Sequence, residues 1–415
     1  MKKFAGYQCS LCGKTFDPSY QGYVCDADGG NLNVILDYER IRKEFTPESL
    51  FKSREPSLWR YEPLLPVEDP GFQNTALHTA GWTPVFNTPR LAEKYGLRSL
   101  RIKDEGRNPT ASFKDRASAI VVARAKEIQA ETIVTASTGN AGAALAGMSA
   151  AADWHAIIFA PKTAPQAKIA QLLIFGADVI LVDSNYDSAF DLSIEAAQKY
   201  GWYCRNTGYN AFTAEGKKTA TFEIWEQVLQ HLDSTRPLCI FVSVGDGNII
   251  SGLHKGFKDL AELGWLKSMP RIFGVQSEKS NAVYQAWQNG TEKIIPVQAT
   301  TFADSISVDL PRDGVRAVRA ATETQGAFIA VSDESIYSGI TELGTIGVFA
   351  EPAGATAYVG MKKAAEMGLI TDQDDVLVIN TGSGLKDIRS AMKAAGEAAV
   401  IQPNMAALEA YLKQR

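Results

Sequence analysis

Residues 108–116 read Asn-Pro-Thr-Ala-Ser-Phe-Lys-Asp-Arg and carry the strongest signal in the chain for fold and chemistry together. Lys114 stands here among small residues and an aromatic ring, not in a run of solvated charges. An ε-amine attacks a carbonyl only in its neutral form, and burial beside other cations lowers the lysine pKa toward working pH. The stretch therefore indicates a Schiff-base lysine, with a surface lysine in the first turn of a helix as the alternative.

Three further segments share one local form, an apolar strand that runs into a polar turn containing glycine. They lie at residues 135–142, 241–249 and 376–387, and a helix is predicted after each of the first two. Free backbone N–H groups at the start of a helix suit a carboxylate or a phosphate. The sequence thus predicts a binding site assembled from several strand ends.

Apolar runs of strand length alternate with helical stretches through the middle of the chain. The clearest runs are residues 155–160, 177–182 and 238–242. This alternation predicts parallel sheets covered by helices on both faces. In such α/β folds, ligands bind beyond the carboxyl ends of the strands, which is where the three turns lie.

Together and in this order, the segments resemble the threonine synthase branch of the pyridoxal-phosphate enzymes, in the tryptophan synthase β-like (fold type II) superfamily. The resemblance covers nearly the whole chain. Its markers are CSLC at 9–12, LDYE at 36–39, GWTP at 81–84, KDEG at 103–106, SFKDR at 112–116, STGN at 137–140, EGKKT at 215–219, EPA at 351–353 and TGSGLKD at 381–387. The resemblance implies a two-domain α/β fold whose parallel-rich sheets are flanked by helices, with pyridoxal 5'-phosphate in the cleft.

Domain boundaries can be placed on this basis. We expect a small ribbon-like appendage over residues 1–45, a large cofactor-binding domain formed by 46–119 and 226–415, and a small mobile domain over 120–225. Prolines and scattered charges between residues 48 and 69 predict an extended connector that lies on the main body.

The resemblance also implies roles for the matching residues. Lys114 would hold the cofactor and then act as the catalytic base at the substrate Cα. The residues implied to bind the cofactor are Lys114, Asn140 at the ring hydroxyl, Gly245, Asp246, Gly247, Asn248 and Ile249 around the phosphate, and Thr381 at the pyridine nitrogen. The residues assigned to the substrate are Ser137, Thr138 and Gly139 at its carboxylate, and Lys217 and Arg107 at an anionic tail. For these last two cations, a solvated surface charge is the alternative.

Two segments depart from the family pattern. The phosphate loop reads Gly-Asp-Gly-Asn-Ile where members commonly have Gly-Asn-x-Gly-Asn, so Asp246 must point away from the phosphate or be paired. Residues 303–308 read Ala-Asp-Ser-Ile-Ser-Val and are closer to the corresponding run of threonine dehydratases. Glu351 keeps two interpretations, a place near the ring face and a helix N-cap before Pro352.

Three hypotheses about function follow. The first is a lyase that converts O-phospho-L-homoserine and water into L-threonine and phosphate. The second is a β-replacement or β-elimination enzyme on phosphoserine, serine or threonine, like cysteate synthase or a dehydratase, and the altered segment at 305–312 motivates it. The third is a non-catalytic module that binds the cofactor or an amino acid, against which Lys114, Asn140 and Thr381 argue.

Composition limits the partners. The 415-residue chain carries a net charge of −5 and is 45% hydrophobic, which suits a large core and gives no basic surface for nucleic acid. No apolar run approaches the length of a membrane span, and no signal peptide is expected before the first cysteines. We expect a small amino-acid substrate, phosphorylated under the first hypothesis, a cytoplasmic location and, from the resemblance, a homodimer.

The cysteines divide into two groups. Cys9, Cys12 and Cys25 follow zinc-ribbon spacing, with Asp28 where a fourth cysteine would complete the set. Three thiolates and a carboxylate can hold zinc tetrahedrally, and a metal-free knuckle is the alternative. Cys204 and Cys239 are expected as small buried hydrophobes.

Overall fold

The computed structural model describes residues 3–184, 186–232 and 236–413. Within them the strands are β1 Phe4–Cys9, β2 Thr15–Phe16, β3 Leu32–Leu36, β4 Val85–Asn87, β5 Ser99–Asp104, β6 Thr132–Ala136, β7 His155–Pro161, β8 Asp178–Val182, β9 Tyr203–Cys204, β10 Cys239–Ser243, β11 Arg271–Ser277, β12 Phe328–Val331 and β13 Asp375–Asn380. The helices are α1 Tyr38–Glu44, α2 Pro47–Phe51, α3 Pro89–Lys94, α4 Lys114–Glu127, α5 Asn140–Ala151, α6 Gln166–Ile174, α7 Tyr186–Tyr200, α8 Phe212–Gln227, α9 Asn248–Glu262, α10 Ala282–Gln288, α11 Gly314–Glu323, α12 Asp333–Gly344, α13 Pro352–Glu366, α14 Ile388–Ala395 and α15 Met405–Leu412. Short 3-10 turns lie at Leu58–Leu64, Glu105–Arg107, Leu229–His231, Asp304–Ile306 and Gly384–Lys386.

These strands form three sheets. The first is antiparallel, in the order β2-β1-β3, and is the ribbon predicted near the N-terminus. The second has six strands in the order β12-β11-β10-β13-β5-β4, all parallel except the edge strand β4. The third is wholly parallel, in the order β8-β7-β6-β9. The predicted α/β fold with parallel-rich sheets and a ribbon-like appendage is therefore confirmed.

The central strands of the six-stranded sheet are apolar on both sides. Every residue of β10 and β13 is buried, as expected for parallel strands that helices cover on two faces. Phe241, Val275 and Val378 belong to the core that also contains α13, whereas Ile240 and Leu377 face a second core with α8 and α9. This two-sided packing leaves the carboxyl ends of the strands as the place where loops and ligands can meet.

Helix α8 packs tightly between α4 and α9. A Cβ atom added to Gly216 would lie 2.2 Å from the Arg116 carbonyl oxygen, and one added to Gly252 would lie 2.8 Å from the Lys217 Cβ. The helices therefore approach each other closely only because these positions carry no side chain. As a result, the start of α4 and the start of α9 lie on either side of Lys217. The strands of the third sheet fall within 132–204, inside the predicted small domain, while its separate motion stays a prediction.

A buried ionic network fixes the start of α4. Arg116 donates to Glu105 and Glu223, and Lys103 Nζ lies 2.7 Å from Glu223 Oε2, all four side chains being fully buried. Burial alone would raise the pKa of Glu223, but Arg116 and Lys103 lower it to about 2. The network joins β5, α4 and α8. Lys103 and Glu105 of the KDEG marker and Arg116 of the SFKDR marker therefore stabilise the fold.

The connector predicted between residues 48 and 69 is more ordered than expected. It contains α2 and the 3-10 turn Leu58–Leu64, so the prediction of an extended segment was wrong. Trp59 and Tyr61 are buried, and Arg60 forms an ion pair with Glu226 at the end of α8. The aromatic side chains supply apolar area whose burial draws this stretch onto the body. No helix in the described part of the chain is both long and apolar enough to cross a membrane.

Candidate active site

The turns after β6, β10 and β13 open into one cavity of about 790 Å³. It is lined from both parallel sheets and from the start of α4, α5 and α9. Of the residues predicted to bind cofactor or substrate, those that line it are Lys114, Ser137, Thr138, Gly139, Asn140, Lys217, Gly245, Asp246, Gly247, Asn248, Ile249 and Thr381. The expectation that ligands bind beyond the carboxyl ends of the strands therefore placed every predicted cofactor and substrate residue except Arg107 correctly at one cavity.

Lys114 is the first residue of α4 and is positioned by the turn before it. Ala111 adopts a φ of 65°, the Phe113 N–H donates to the Thr381 carbonyl oxygen at 2.9 Å, and the Ser383 N–H donates to the Ala111 carbonyl oxygen at 3.0 Å. These bonds tie the lysine to the turn after β13. Within the described residues, the structure shows no hydrogen bond to the Lys114 amine.

Electrostatics favour the neutral form of this amine. Enclosure lowers the pKa of Lys114 below its usual range, and the Arg205 guanidinium lowers it further, while Glu351 opposes the change. The lowered lysine pKa predicted from the sequence is confirmed. The lowered pKa increases the neutral fraction of this amine, and the neutral form is the one that acts as a nucleophile or a base.

Asn140, Glu351 and Thr381 form a hydrogen-bonded group beside the lysine. Asn140 Nδ2 donates to Glu351 Oε1 at 3.0 Å and Oε2 at 2.9 Å, and Thr381 Oγ1 lies 3.5 Å from Oε1. Glu351 occupies the N-cap position of α13, yet its side chain makes no capping bond and lines the cavity instead. Burial raises the pKa of Glu351, against the opposing effects of Asn140 and Lys114. Both interpretations of Glu351 therefore hold in part. Its backbone occupies the N-cap position of α13, and its carboxyl group belongs to the site.

The turn between β10 and α9 has the form of an anion cradle. Gly247 adopts a φ of 94° just before α9, a 15-residue helix whose first two residues, Asn248 and Ile249, line the cavity. The free N–H groups at the start of a helix favour an anion. Asp246 lines the cavity but is paired, since its Oδ1 accepts the Arg312 N–H at 2.6 Å and its carbonyl oxygen accepts the Asp313 N–H at 2.9 Å. The expectation that Asp246 is paired is confirmed, and burial raises its pKa to about 6.

Lys217 lies directly behind this cradle. Its side chain is fully buried on α8, and its amine donates to Asn248 Oδ1, while Asn248 Nδ2 donates to Asp313 Oδ2 at 2.7 Å. Burial lowers the pKa of Lys217 well below its usual range, with further lowering by Lys114 and Arg205. The surface-charge alternative for Lys217 is therefore wrong. Its amine is placed to neutralise an anion held at the start of α9.

Arg107 and the cysteine group lie elsewhere. The Arg107 side chain is 59% exposed, its Nε is 3.1 Å from Asp104 Oδ2, and it does not line the cavity. The structure does not bring Arg107 to the site, and the alternative of a surface charge describes its position. The predicted metal ligands converge in the N-terminal ribbon instead, at Cys9, Cys12, Cys25 and Asp28.

Sequence reasoning missed two groups at the site. Arg205 follows β9 and is fully buried, donating to Thr207 Oγ1 at 2.5 Å. It does not line the cavity, but its charge lowers the pKa of Lys114 and of Lys217. Ser243 ends β10 and lines the cavity, with a buried hydroxyl that has no partner within the described residues. Arg205 directly follows β9 and Ser243 is the last residue of β10, so a search at the carboxyl ends of the parallel strands could have found both.

The residues present fit pyridoxal phosphate. Lys114 offers a nucleophilic amine, and the unpaired Ser243 hydroxyl, the start of α9 and Lys217 offer donors and positive charge for a phosphate. Asn140 and Thr381 offer an amide and a hydroxyl to a polar ring between them.

Comparisons with known proteins agree with this geometry. The family model described as pyridoxal-phosphate dependent enzyme matches residues 76–382. The threonine synthase of Methanocaldococcus jannaschii is 36% identical over 98% of this chain and 99% of its own length, and that of Methanosarcina acetivorans is 34% identical over 97% of each. In the structure of the processed form of threonine deaminase isoform 2 from Solanum lycopersicum, the fold matches with a TM-score of 0.64 at 23% identity, over 75% of this chain and 86% of that one.

Proposed function

The chain belongs to the pyridoxal-phosphate-dependent enzymes, in their threonine synthase branch, and we propose that it converts O-phospho-L-homoserine and water into L-threonine and phosphate. One observation carries the proposal: the Lys114 amine, the Asn140–Glu351 pair and the anion cradle at Gly247 line a single cavity. This cavity belongs to a chain that matches threonine synthases over nearly its whole length.

The cofactor would be held by groups of known position. The N–H groups at the start of α9 and the Lys217 amine would bind the phosphate, and Asn140 and Thr381 would contact the ring. Pyridoxal phosphate, when bound, supplies an electron sink for the negative charge that develops at the substrate Cα. A hydroxyl such as that of Thr381 does not hold a proton on the ring nitrogen as an aspartate would, which suits elimination and replacement chemistry.

The start of α5 would bind the substrate carboxylate. Ser137 and Thr138 line the cavity just before this 12-residue helix, and the Gly139 N–H donates to Ser137 Oγ at 3.2 Å. Helix N-termini favour anions through their free N–H groups and their dipole. Binding there would orient the substrate Cα toward the side of the cavity that Lys114 lines.

Lys114 would move the protons of the reaction. Because its pKa is lowered, a larger share of the amine is neutral and able to remove a proton first from Cα and then from Cβ. Phosphate leaves Cγ with the electron pair of the C–O bond, water oxygen then bonds to Cβ, and protons return to Cγ and Cα. Glu351, whose raised pKa lets it hold a proton, is the second group placed to donate one.

The proposal extends to the form of the substrate and of the protein. Arg205 and Lys217 support a phosphorylated substrate as well as a phosphorylated cofactor, because they concentrate positive charge at the cavity. Exposed apolar side chains on α14 and α15, such as Met392 and Met405, support a homodimer. The unpaired state of all five cysteines supports a cytoplasmic location.

Product analysis tests the function. The purified protein is supplied in turn with O-phosphohomoserine, O-phosphoserine, serine and threonine, and amino acids, oxo acids and phosphate are quantified. We expect threonine and phosphate in equal amounts from O-phosphohomoserine alone, and neither product from Lys114→Ala. Absence of threonine from the wild-type reaction would refute the proposed substrate.

A β-replacement or β-elimination activity is the second candidate. It is favoured by the segment that departs from the threonine synthases, since residues 304–310 line the cavity and Ser305 Oγ lies 3.4 Å from Asn140 Nδ2. Phosphate or oxo acid release from phosphoserine, serine or threonine without threonine formation would establish it. Failure of every substrate would instead favour a non-catalytic binding module.

A further inference from the structure

The four predicted metal ligands of the N-terminal ribbon converge in the structure, away from the active-site cavity. Cys9 ends β1, Cys12 lies in the following turn, and Cys25 and Asp28 lie in the turn before β3. One ligand atom from each residue lies within 4.8 Å of every other. None of the four lines the cavity described above. The cluster is thus a separate feature of the molecule.

The distances between these atoms match a tetrahedral metal site. Cys12 Sγ lies 3.7 Å from Cys25 Sγ, and Cys9 Sγ lies 3.3 Å from Asp28 Oδ1. A tetrahedral zinc ion with metal–sulfur bonds of about 2.3 Å requires sulfur–sulfur edges of about 3.8 Å and slightly shorter sulfur–oxygen edges. A disulfide would instead require sulfur atoms about 2.05 Å apart. The Cys12–Cys25 spacing is therefore that of two separate thiols at the edge length of a tetrahedral site, not that of a disulfide.

The two turns that carry the ligands have the same local design. The N–H of Leu11 donates to Cys9 Sγ at 3.3 Å, and the N–H of Ala27 donates to Cys25 Sγ at 3.4 Å. Four residues after each of these cysteines stands a glycine with positive φ, Gly13 at 75° and Gly29 at 70°. Each glycine N–H donates to the carbonyl oxygen of its cysteine.

This repeated design assigns the fourth ligand. Asp28 occupies in the second turn the position that Cys12 occupies in the first, three residues after the leading cysteine. Its Oδ1 accepts the Gly30 N–H at 2.8 Å, which orients the carboxylate toward Cys9. Backbone N–H groups that donate to the ligand atoms fix the direction in which those atoms point.

We propose that Cys9, Cys12, Cys25 and Asp28 bind one zinc ion with a structural role. Three thiolates select a soft or borderline metal, and zinc accepts a carboxylate as a fourth ligand in tetrahedral geometry. Four protein ligands leave no open position, so the ion is structural and takes no part in the reaction. The ribbon is small and contributes only part of a core, so a metal closes it where hydrophobic burial is limited.

The position of the ribbon gives this ion a further consequence. Asn31, just after the second turn, donates to the Arg312 carbonyl oxygen at 2.9 Å and lies 3.0 Å from Asp313 Oδ1. Asp313 in turn accepts from Asn248 at the start of α9. Folding of the turn that carries Cys25 and Asp28 therefore supports the loop at Arg312 and Asp313, which contacts the start of α9. Only the identity of the anion bound there rests on the proposed function.

Metal analysis of the full-length protein tests the site without reference to catalysis. The protein is reduced, exposed to zinc, freed of excess metal and analysed for zinc per chain, with Co²⁺ as a spectroscopic probe of the ligands. We expect one zinc per chain and tetrahedral, thiolate-rich cobalt bands. Cys25→Ser and Asp28→Ala should lose most of the metal, whereas Asp28→Cys should retain it with a spectrum shifted toward four thiolates. Cys204→Ala, which removes a buried thiol of β9, should bind zinc like the wild type.

Alkylation of the wild-type protein keeps the test decisive if a variant fails to fold. Bound zinc should protect Cys9, Cys12 and Cys25 from iodoacetamide, and chelation should expose them and lower the unfolding temperature. Equal alkylation with and without zinc, zinc binding that survives in Cys25→Ser, or a Cys12–Cys25 disulfide that persists under reducing conditions would each overturn the proposal.

Discussion

Lys217 gives the sharpest test of how the cavity binds its cofactor. Its amine is fully buried and donates to Asn248, and among residues 3–184, 186–232 and 236–413 no carboxylate forms an ion pair with it. Its pKa is lowered by burial and by Lys114 and Arg205. A cation in this position is stabilised when an anion arrives at the start of α9. Replacing Lys217 by methionine keeps the length of the side chain and removes the charge.

The magnitude follows from the bond that is lost. A hydrogen bond to a charged group contributes about 1.5–3 kcal/mol, which corresponds to about 10–150-fold in affinity. Lys217→Met should therefore weaken binding of pyridoxal phosphate to the apoprotein by about that factor, measured by fluorescence titration. Its stability without cofactor should be unchanged or higher, because a desolvated charge has been removed.

The neighbouring Lys218 provides the matched control. It is equally buried on the same helix, but it forms ion pairs with Glu215 at 2.5 Å and Asp259 at 2.7 Å and does not line the cavity. Lys218→Met removes one of the two lysines that pair with these carboxylates, since Lys255 Nζ also lies 2.6 Å from Asp259 Oδ1 and 3.9 Å from Glu215 Oε1. It should reduce stability by less than a fully unpaired buried charge would, which costs about 3–5 kcal/mol, while leaving cofactor affinity nearly unchanged in the folded protein. Wild-type affinity in Lys217→Met, or an equal loss of affinity in both variants, would refute the assignment of Lys217 to the phosphate.

Three further substitutions test other parts of the structure. Folded Asp246 has a pKa of about 6, above the usual value, so between about pH 4 and 6 the native state binds more protons and stability falls as pH rises. Asp246→Asn should accordingly be more stable than the wild type at about pH 8 and lose that advantage near pH 4, as compared by urea unfolding. Asn140→Ala removes both amide bonds to Glu351 and should lower kcat/KM by about 10-fold or more with little change in unfolding temperature, and unchanged kinetics would contradict its role. Glu223→Ala removes the carboxylate shared by Arg116 and Lys103 and leaves Glu105 as the one carboxylate beside two buried cations, so it should reduce the free energy of unfolding by about 3–5 kcal/mol, whereas a loss below about 1 kcal/mol would show that the network is not needed.

Much of the fold could be predicted from the sequence because the strands are nearly continuous apolar runs. The stretches predicted at 155–160, 177–182 and 238–242 became β7, β8 and β10 with shifts of at most one residue at either end. The glycine turns predicted at 135–142, 241–249 and 376–387 follow β6, β10 and β13 and therefore lie at the carboxyl edges of the parallel sheets, so most of the site followed from local patterns. The pyridoxal-phosphate chemistry was predicted from the family markers and not from the pattern of apolar residues.

The positions of side chains whose roles depend on partners distant in sequence could not be predicted from local patterns. Lys217 and Arg107 are both cations in polar surroundings in the sequence, yet one is fully buried behind the anion cradle and the other is largely exposed. The difference arises from α8 packing between two helices, which a local pattern does not encode. Glu351 likewise shows an N-cap signature, while its carboxyl group binds Asn140, which is 211 residues away in sequence.

The 48–69 segment was misjudged for a related reason. Its prolines indicate breaks in regular structure, whereas Trp59 and Tyr61 in the same stretch supply apolar area for packing on the body. Proline is compatible with short helical turns, as at Pro47 in the first turn of α2 and Pro63 in the 3-10 turn. Burial of the aromatic rings then decides the position of the segment.

The central claim is that Lys114, and not Lys217, which lines the same cavity, forms the bond to pyridoxal phosphate. Borohydride reduction of the cofactor-loaded protein, followed by peptide mapping with mass spectrometry, tests it most directly because reduction makes a Schiff base permanent. We predict one phosphopyridoxyl group per chain, on the peptide that contains Lys114. Labelling of Lys217 instead, or no label on any lysine after loading with cofactor, would contradict the account.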